Sequence, residues 1–370
     1  MRIVIVISSL KYGGAETQAI AQARELVRRG HAVTLYALNR DNPRQTELDG
    51  SGVHFIADQK RWSFDPAVLW RLRRYLLASG ADVVQGFLFD GNFYACLAAA
   101  GTGLAVLSSE RSDNYRLNRA QRLGHRIARR LADGVIANSH AGRHFAQSMY
   151  PLPPEHLHVV WNGIDLAAVD RRVGAAGDGL RSALFGAAPV RVACMVANIK
   201  PAKDFLLALR VADELTRRDP AWRVLFVGDS VSELSDYHRE VRQLYEALDL
   251  RGRVLFAGHR ADVLELLSRC DVMFSTSVNE GFPNVVLEAM AAGTPVVSTA
   301  YSDIRLILPQ PWQVVGQRAA PALADAIERA WRERATLSHE QRQWVEQHAT
   351  TAALGASLQQ LYQHYAVGAR

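Results

Sequence analysis

Residues Asn279–Val297 read NEGFPNVVLEAMAAGTPVV and contain a loop, a helical pattern and the start of a strand. Pro283 suits the first turn of a helix, and Gly293 suits the position just after its last turn. The flanking apolar runs Val272–Ser275 and Pro295–Ser298 are typical of buried strands. Strand, helix and strand in this order predict one unit of a parallel α/β sheet.

The same alternation of β-rich runs and helical patterns recurs along the rest of the chain. Strands are also predicted at Ile3–Ile7, Ala32–Leu38, Val53–Ala57, Val83–Gln85, Leu104–Leu107, Gly134–Ala137, Leu157–Val160, Val190–Val196, Arg223–Val227 and Arg253–Phe256. This pattern predicts an α/β fold with two doubly wound, Rossmann-like parallel sheets.

A length of 370 residues suggests two or three domains. We expect a first domain over 1–167, a mobile linker over 168–180 where glycines cluster, a second domain over 181–350 and a final helical stretch over 351–370. Ligands of open α/β sheets bind outside the carboxyl ends of the strands. A cleft between the two domains is therefore the expected site.

The composition is that of a globular protein: 49% of residues are hydrophobic and 22% are charged. Such values exclude disordered, collagen-like and disulfide-scaffold classes. Cys96, Cys194 and Cys270 lack metal-ligand spacing, so we expect buried thiols and no metal site. With neither a leader nor a spanning segment predicted, the expected location is the cytoplasm.

Gly13 and Gly14 open the first predicted helix. Glycines at a helix start let backbone N–H groups approach a phosphate, although a simple tight turn explains them equally well. The G-x-G-x-x-G pattern is missing there, which argues against an NAD-dependent dehydrogenase.

Glu280 precedes the helix predicted after Pro283, and Glu288 lies within it. The first N–H groups of a helix can hold a diphosphate, and an ionised carboxylate can accept hydrogen bonds from vicinal sugar hydroxyls. This spacing fits a nucleotide-sugar, whereas two solvated charges at a helix end are the plainer alternative.

The segment resembles the E-x7-E element of the retaining glycosyltransferases of family 4, which have the GT-B fold. Gly13–Glu16, Asn162–Asp165 and Val227–Asp229 resemble further motifs of that family, so the likeness covers nearly the whole chain. It implies that 351–370 packs back on the first domain. It also implies a donor site, with Glu288 on the ribose and Glu280 on the donor sugar, built from Gly13, Gly14, Asn198, Lys200, Lys203, Gly228, Glu280, Gly281, Phe282, Asn284, Val285 and Glu288.

Basic groups in the loop 197–204 can neutralise a departing diphosphate. Family members usually carry an arginine and a lysine there. Lys203 matches the lysine and is predicted to be catalytic together with Glu280, whereas Asn198 stands at the arginine position. Whether Lys200 replaces that arginine stays open.

Many family members place a histidine on the acceptor side, after the strand that corresponds to Leu104–Leu107. Here the chain reads SSERSD, so Glu110 or Arg111 occupies that place. Contact with the acceptor and a salt bridge at the strand end are equally compatible with these residues.

The net charge of +6 belongs to the first half, where 1–167 holds 20 basic and 14 acidic residues. Seven arginines fall between Arg111 and Leu131, and a helix over Arg116–Arg130 would place them around a stripe that includes Leu123 and Ile127. Such a helix suits an anionic membrane surface, or is simply a solvated basic helix. Nucleic acid is not an expected partner, because no RNA-binding motif accompanies the arginines.

The resemblance implies a retaining hexosyltransferase that moves a sugar from a UDP- or GDP-sugar to a glycan or lipid-linked acceptor. Synthesis of cell-envelope polysaccharide or glycolipid is the expected setting, on the inner face of the membrane and without a cofactor. A GT-B-fold epimerase and a non-catalytic nucleotide-sugar-binding partner are the alternatives. An epimerase would need no acceptor, and a binding partner would show no turnover.

Overall fold

A computed structural model describes residues 1–111, 119–177, 179–186, 190–228 and 235–368. The strands are β1 (Arg2–Ile7), β2 (Ala32–Ala37), β3 (His54–Ala57), β4 (Val83–Phe87), β5 (Ala105–Glu110), β6 (Gly134–Ala137), β7 (Leu157–Val159), β8 (Arg191–Val196), β9 (Trp222–Val227), β10 (Val254–Phe256), β11 (Val272–Ser275), β12 (Val296–Thr299) and β13 (Val314–Val315). All predicted strands are confirmed to within two or three residues at either end, and β13 is an additional strand.

The helices alternate with these strands. They are α1 (Gly14–Arg28), α2 (Pro66–Ser79), α3 (Leu88–Ala99), α4 (Arg119–Ala128), α5 (His140–Met149), α6 (Leu166–Ala175), α7 (Gly179–Phe185), α8 (Phe205–Arg218), α9 (Asp236–Ala247), α10 (Val263–Ser268), α11 (Asn284–Ala291), α12 (Ile304–Ile307), α13 (Ala320–Arg332), α14 (Arg334–His348) and α15 (Thr351–Gly368).

The chain forms two compact units. Met1–Gly163 and Ala349–Arg370 make the first, and Ile164–His348 makes the second. The first holds a parallel sheet in the order β3-β2-β1-β4-β5-β6-β7, and the second a parallel sheet in the order β10-β9-β8-β11-β12-β13. Two Rossmann-like sheets are therefore present, as predicted.

Alternation along β1 builds a core on each face of the first sheet. Ile3, Ile5 and Ile7 join the core beneath α1 and α15, whereas Val4 and Val6 join the core beneath α2 and α3. Because helices cover both faces of the sheet, the five residues of β1 that follow Arg2 are all apolar and buried.

The final helix α15 belongs to the first unit. Its side chains Leu354, Leu358 and Tyr362 are buried in the core that α1 covers. The chain returns to this unit beside Gly163, where a Cβ atom would lie 2.7 Å from the carbonyl oxygen of Thr350. A glycine is thus needed at that position of the Asn162–Asp165 motif.

The prediction of a mobile linker over 168–180 is wrong for its first half, which lies in α6. Asp165 caps this helix by accepting a hydrogen bond from the amide of Ala168 at 3.0 Å. Val169 is buried, and Arg172 forms an ion pair with Glu265 at 2.7 Å. These contacts fix α6 in the second unit despite the glycines that follow.

The helix predicted over Arg116–Arg130 corresponds to α4, which ends at Ala128. Arg116 lies outside the described residues. Arg129 and Arg130 follow the helix in a turn, in which the amide of Arg130 donates to the carbonyl of Ile127.

Candidate active site

Two loops at the carboxyl ends of adjacent strands of the second sheet bring Lys203 and Glu280 together. Lys203 follows β8, and Glu280 follows β11. The Lys203 ammonium lies 2.7 Å from one Glu280 oxygen, and the Ser277 hydroxyl donates to the other. The side chains of Lys203 and Glu280 are 23% and 13% exposed, so this charged pair is partly shielded yet reachable.

Backbone contacts join the same two loops. The Thr276 hydroxyl donates to the carbonyl of Lys203 at 2.7 Å, and the Val278 amide donates to the carbonyl of Ala202 at 2.8 Å. The positions of the ammonium and the carboxylate are therefore set by the chain as well as by their own attraction.

The segment after Glu280 turns directly into α11. The Ser302 hydroxyl holds the carbonyl of Gly281 at 2.7 Å, and Phe282 is buried. Pro283 stands at the N-cap of α11 rather than within its first turn. The amide of Asn284 already donates to the carbonyl of Phe282 at 3.0 Å, so one of the amides predicted for the donor pocket is used by the turn itself.

Glu288 lies half-buried on α11, and Val285, also half-buried, precedes it by one turn. Arg172 on α6 lies within electrostatic reach of Glu288: hydrogen bonding to Glu265 raises the pKa of Arg172, and the charge of Glu288 acts in the same direction. The helix α6, predicted to be a linker, thus contributes a cation to the surroundings of the second glutamate.

Gly228 brings the end of β9 against the loop after β8. Its φ is +144°, and a Cβ atom there would lie 2.1 Å from the carbonyl oxygen of Ala197 and 3.2 Å from the amide nitrogen of Asn198. Only glycine fits this approach. Asn198 is half-buried, whereas Lys200 is exposed on the same loop.

In the first unit, Gly13 is the N-cap of α1 and Gly14 is its first residue. Both glycines are exposed. The Glu16 carboxylate lies beside Gly13, since a Cβ atom on that glycine would come 2.3 Å from one of the carboxylate oxygens. An anion that approaches this turn therefore meets a negative charge, which disfavours binding there while Glu16 keeps this position.

Glu110 and Arg111 are 1% and 7% exposed. Glu110 accepts hydrogen bonds from the Tyr150 hydroxyl and, at 3.4 Å, from the Asn92 amide. Burial together with the Glu110 carboxylate raises the pKa of Tyr150, which therefore stays a proton donor to that carboxylate.

Arg111 donates to the Asn162 side chain at 2.6 Å, and its guanidinium lies 4.6 Å from the centre of the Phe87 ring. These contacts hold Arg111 inside the first unit beside the Asn162–Asp165 motif. The arrangement favours an internal structural role for Glu110 and Arg111 over contact with an acceptor.

Three residues near the pair were not predicted as site residues: Ser277, Asp204 and Arg318. Ser277 lies three residues before Glu280, a spacing that could have suggested the contact. Arg318 donates to the Asp204 carboxylate at 2.6 Å over a separation of 114 residues, which no local pattern reveals.

Among the described residues, no group of three or more His, Cys, Asp or Glu side chains is arranged to hold a metal ion. Within the same ranges, every helix is too short or too polar to cross a bilayer.

Comparison with known proteins gives matches along both units. The profile of Glycosyltransferase Family 4 matches residues 12–168, and that of Glycosyl transferases group 1 matches residues 187–349. EpsF from Bacillus subtilis is 27% identical over 348 residues, covering 87% of this chain and 88% of EpsF. A D-inositol 3-phosphate glycosyltransferase from Kineococcus radiotolerans is 33% identical over 181 residues, which are 47% of this chain and only 41% of that relative.

Solved structures share the fold. HepE from Anabaena, solved with UDP-glucose, has a TM-score of 0.81 at 20% identity and covers 98% of this chain and 100% of its own. A glycosyltransferase from Rickettsia africae has a TM-score of 0.81 at 17% identity, covering 98% of each chain. With both units matched by the family profiles and with two parallel Rossmann-like sheets, the chain belongs to the family 4 glycosyltransferases of the GT-B fold.

Proposed function

We propose that this protein is a retaining hexosyltransferase that moves a sugar from a nucleoside diphosphate sugar to a hydroxyl of a glycan or lipid-linked acceptor in cell-envelope synthesis. The Lys203–Glu280 pair carries the proposal, because a cation for the diphosphate lies 2.7 Å from a carboxylate for the sugar, the cation on the loop after β8 and the carboxylate at the start of the E-x7-E element. The pair is partly shielded from water, which strengthens its action on a bound donor.

In this proposal Lys203 stabilises the negative charge that develops on the diphosphate as the bond from the anomeric carbon to oxygen breaks. Glu280 accepts hydrogen bonds from the donor sugar, with Ser277 holding one of its oxygens in place. The acceptor oxygen bonds to the anomeric carbon while its proton passes to the departing diphosphate. Because both events occur on one face of the sugar, the configuration is retained.

Glu288 is proposed to accept hydrogen bonds from the donor ribose, and Arg172 places a cation within electrostatic reach of its carboxylate. UDP-glucose is the first donor to test, since HepE was solved with it. GDP-mannose is the second, because the recognition of the base in this fold leaves no trace in residue types.

Thermal unfolding with each nucleotide-sugar at one fixed concentration tests the donor. A ligand at 100 times its dissociation constant stabilises the folded protein by about 2.7 kcal/mol, so one donor should raise the Tm by several degrees. Glu288→Gln should lose most of this shift, whereas Arg329→Gln, a change on the surface of α13, should keep it. If no nucleotide-sugar shifts the Tm and none releases its nucleotide, the proposed function is wrong.

The surface of α4 supports a peripheral position on the inner face of an anionic membrane. Gly124 and Ala128 face the body of the unit, since a Cβ atom on Gly124 would come 2.8 Å from the Phe93 ring and Ala128 is buried. Leu123 and Ile127 are 58% and 47% exposed. The exposed arginines that accompany them are Arg122, Arg126 and Arg130.

Apolar side chains that point outward among arginines are typical of a helix that lies in a lipid interface. Arg129 does not belong to this surface, because it donates to the carbonyl of Met149 and lies over the Tyr150 ring at 5.9 Å.

A further inference from the structure

Arg318 reaches from the edge of the second sheet to the two loops that carry Lys203 and Glu280. It follows β13, one of the two edge strands. One terminal nitrogen donates to the Asp204 carboxylate at 2.6 Å and to the carbonyl of Thr276 at 2.7 Å, and the other donates to the carbonyl of Ser277 at 3.0 Å.

Each partner of Arg318 lies next to a residue of the candidate site. Asp204 directly follows Lys203 in the chain. The Thr276 hydroxyl donates to the carbonyl of Lys203, and the Ser277 hydroxyl donates to Glu280. One guanidinium group therefore links the loop after β8 to the loop after β11 immediately behind the ion pair.

Asp204 needs such support because of its backbone. Its φ of +45° lies in the left-handed region, which is unfavourable for a residue with a Cβ atom. One carboxylate oxygen accepts a hydrogen bond from the Leu207 amide at 3.1 Å and caps α8, while the other accepts from Arg318. The conformation that presents Lys203 thus depends on a carboxylate that is held at both oxygens.

An ordinary ion pair does not explain this arrangement. The Arg318 side chain is 34% exposed, and exposed pairs contribute little to stability. Two of its three contacts go to backbone carbonyls of one loop and the third to a carboxylate of another, and both terminal nitrogens are used, which suits the fork of a guanidinium group but not the single nitrogen of a lysine ammonium.

We propose that Arg318 is a positioning residue that holds Lys203 and Glu280 in register for the donor sugar and its diphosphate. The proposal rests on the proposed glycosyl transfer. Loss of Arg318 should lower kcat far more than it raises the KM for the donor, because misplacement of catalytic groups affects the transition state most.

Steady-state kinetics with UDP-glucose, or with whichever donor raises the Tm, provide the first test. Arg318→Ala should lower kcat by a factor on the order of 10–100 with little change in donor KM, and Arg318→Lys should fall between that variant and the wild type. The matched control is Arg329→Ala, which removes an arginine paired with Glu333 on the same unit. A wild-type kcat in Arg318→Ala, or a loss explained by a smaller folded fraction, would overturn the proposal.

A double variant tests the route through Asp204. Asp204→Asn keeps an oxygen to cap α8 but weakens the contact with Arg318. If both residues act through one contact, the losses of kcat in Asp204→Asn and Arg318→Ala should not multiply in the double variant. Losses that multiply fully would contradict this route.

Hydrogen exchange without any donor gives a readout independent of turnover. Arg318→Ala should speed the exchange of amides in both 199–204 and 276–281, including that of Val278, with the rest of the second unit unchanged. Equal exchange in both loops of Arg318→Ala and Arg329→Ala would overturn the proposal. If instead the loops loosen but the wild type turns over no nucleotide-sugar, the positioning role stands and the proposed function fails.

Discussion

The carboxyl ends of the two sheets carry charged residues in opposite settings. In the second unit, Lys203 and Glu280 lie on loops, pair with each other and remain partly exposed. In the first unit, Glu110 ends β5 and Arg111 follows it, but both are buried and bound to side chains of their own unit. Residue type and position at a strand end are therefore not enough to identify a reacting group.

The carboxylates of Glu110 and Glu280 differ in the groups that bond to them. Glu110 accepts hydrogen bonds from Tyr150 and Asn92, which are fixed parts of a core. The Glu280 carboxylate is held by a hydroxyl and by an ammonium on a long side chain, which can move aside for a substrate. We therefore expect substitutions of charged residues in the second unit to alter the rate of transfer or the binding of the donor. Substitutions in the first unit should alter attachment to the membrane or the stability of the fold.

The largest expected effect is that of Lys203→Ala. Removing one preorganised group that stabilises charge typically costs a factor on the order of 10²–10³ in kcat. Lys200→Ala is the matched control, because Lys200 is exposed on the same loop and should stay near the wild-type rate. Donor turnover by both variants measures this difference, and an inactive Lys200→Ala beside an active Lys203→Ala would show that the other lysine serves the diphosphate.

The next effect concerns membrane binding by the first unit. Each arginine near an anionic surface contributes about 1 kcal/mol, so changing Arg122, Arg126 and Arg130 to Gln should lower the partition onto phosphatidylserine vesicles by on the order of 10²-fold. Transfer to a soluble acceptor should stay unchanged. Co-sedimentation at low and high salt measures the binding.

The control for this variant carries the same loss of charge elsewhere on the unit, as Arg24→Gln, Arg28→Gln and Arg74→Gln. If both triple variants release the protein equally, general charge rather than α4 accounts for binding. If the wild type ignores anionic vesicles at low salt, α4 is a solvated helix.

The two glutamates of the second unit should separate into two kinds of defect. Glu280→Gln should lower kcat by roughly tenfold to a hundredfold with donor affinity nearly unchanged, since its contacts with the sugar change during the reaction. Glu288→Gln should weaken donor binding by a similar factor, because contacts to the ribose persist. Calorimetric donor binding beside steady-state kinetics distinguishes them, and identical defects in both variants would contradict the assigned roles.

The fold was largely predictable because its signals are local. Alternating or continuous runs of β-branched residues mark the longer strands, and Gly293 marks the end of α11 with a φ of +79°. The two-residue strand β13 is too short to produce a pattern. The glycines at 174 and 177 give the end of α6 the composition of a linker, whereas the cap that Asp165 supplies to this helix is visible only in the structure.

For the candidate site, the sequence predicts only which types of residue take part and where they lie along the chain. The spacing of Glu280 and Glu288 and the place of Lys203 could be read from the sequence, but the contact between Lys203 and Glu280 joins two separate loops. Nor does the sequence around Glu110 indicate that Tyr150, 40 residues away, will occupy its carboxylate. Such long-range contacts decide which charged residues remain open to a substrate.

The smallest functional effect is expected for Tyr150→Phe, which keeps the ring but removes the donor to Glu110. Loss of a hydrogen bond to a buried charged group should lower the free energy of unfolding by about 1–3 kcal/mol while turnover per folded molecule stays unchanged. Tyr75→Phe is the matched control, because its hydroxyl bonds the neutral Thr34 hydroxyl at 2.7 Å and its loss should cost less. Urea unfolding and donor turnover measure both quantities. If turnover falls further than the folded fraction, Glu110 takes part in binding the acceptor. The difference described between the charged residues of the two units would then be wrong.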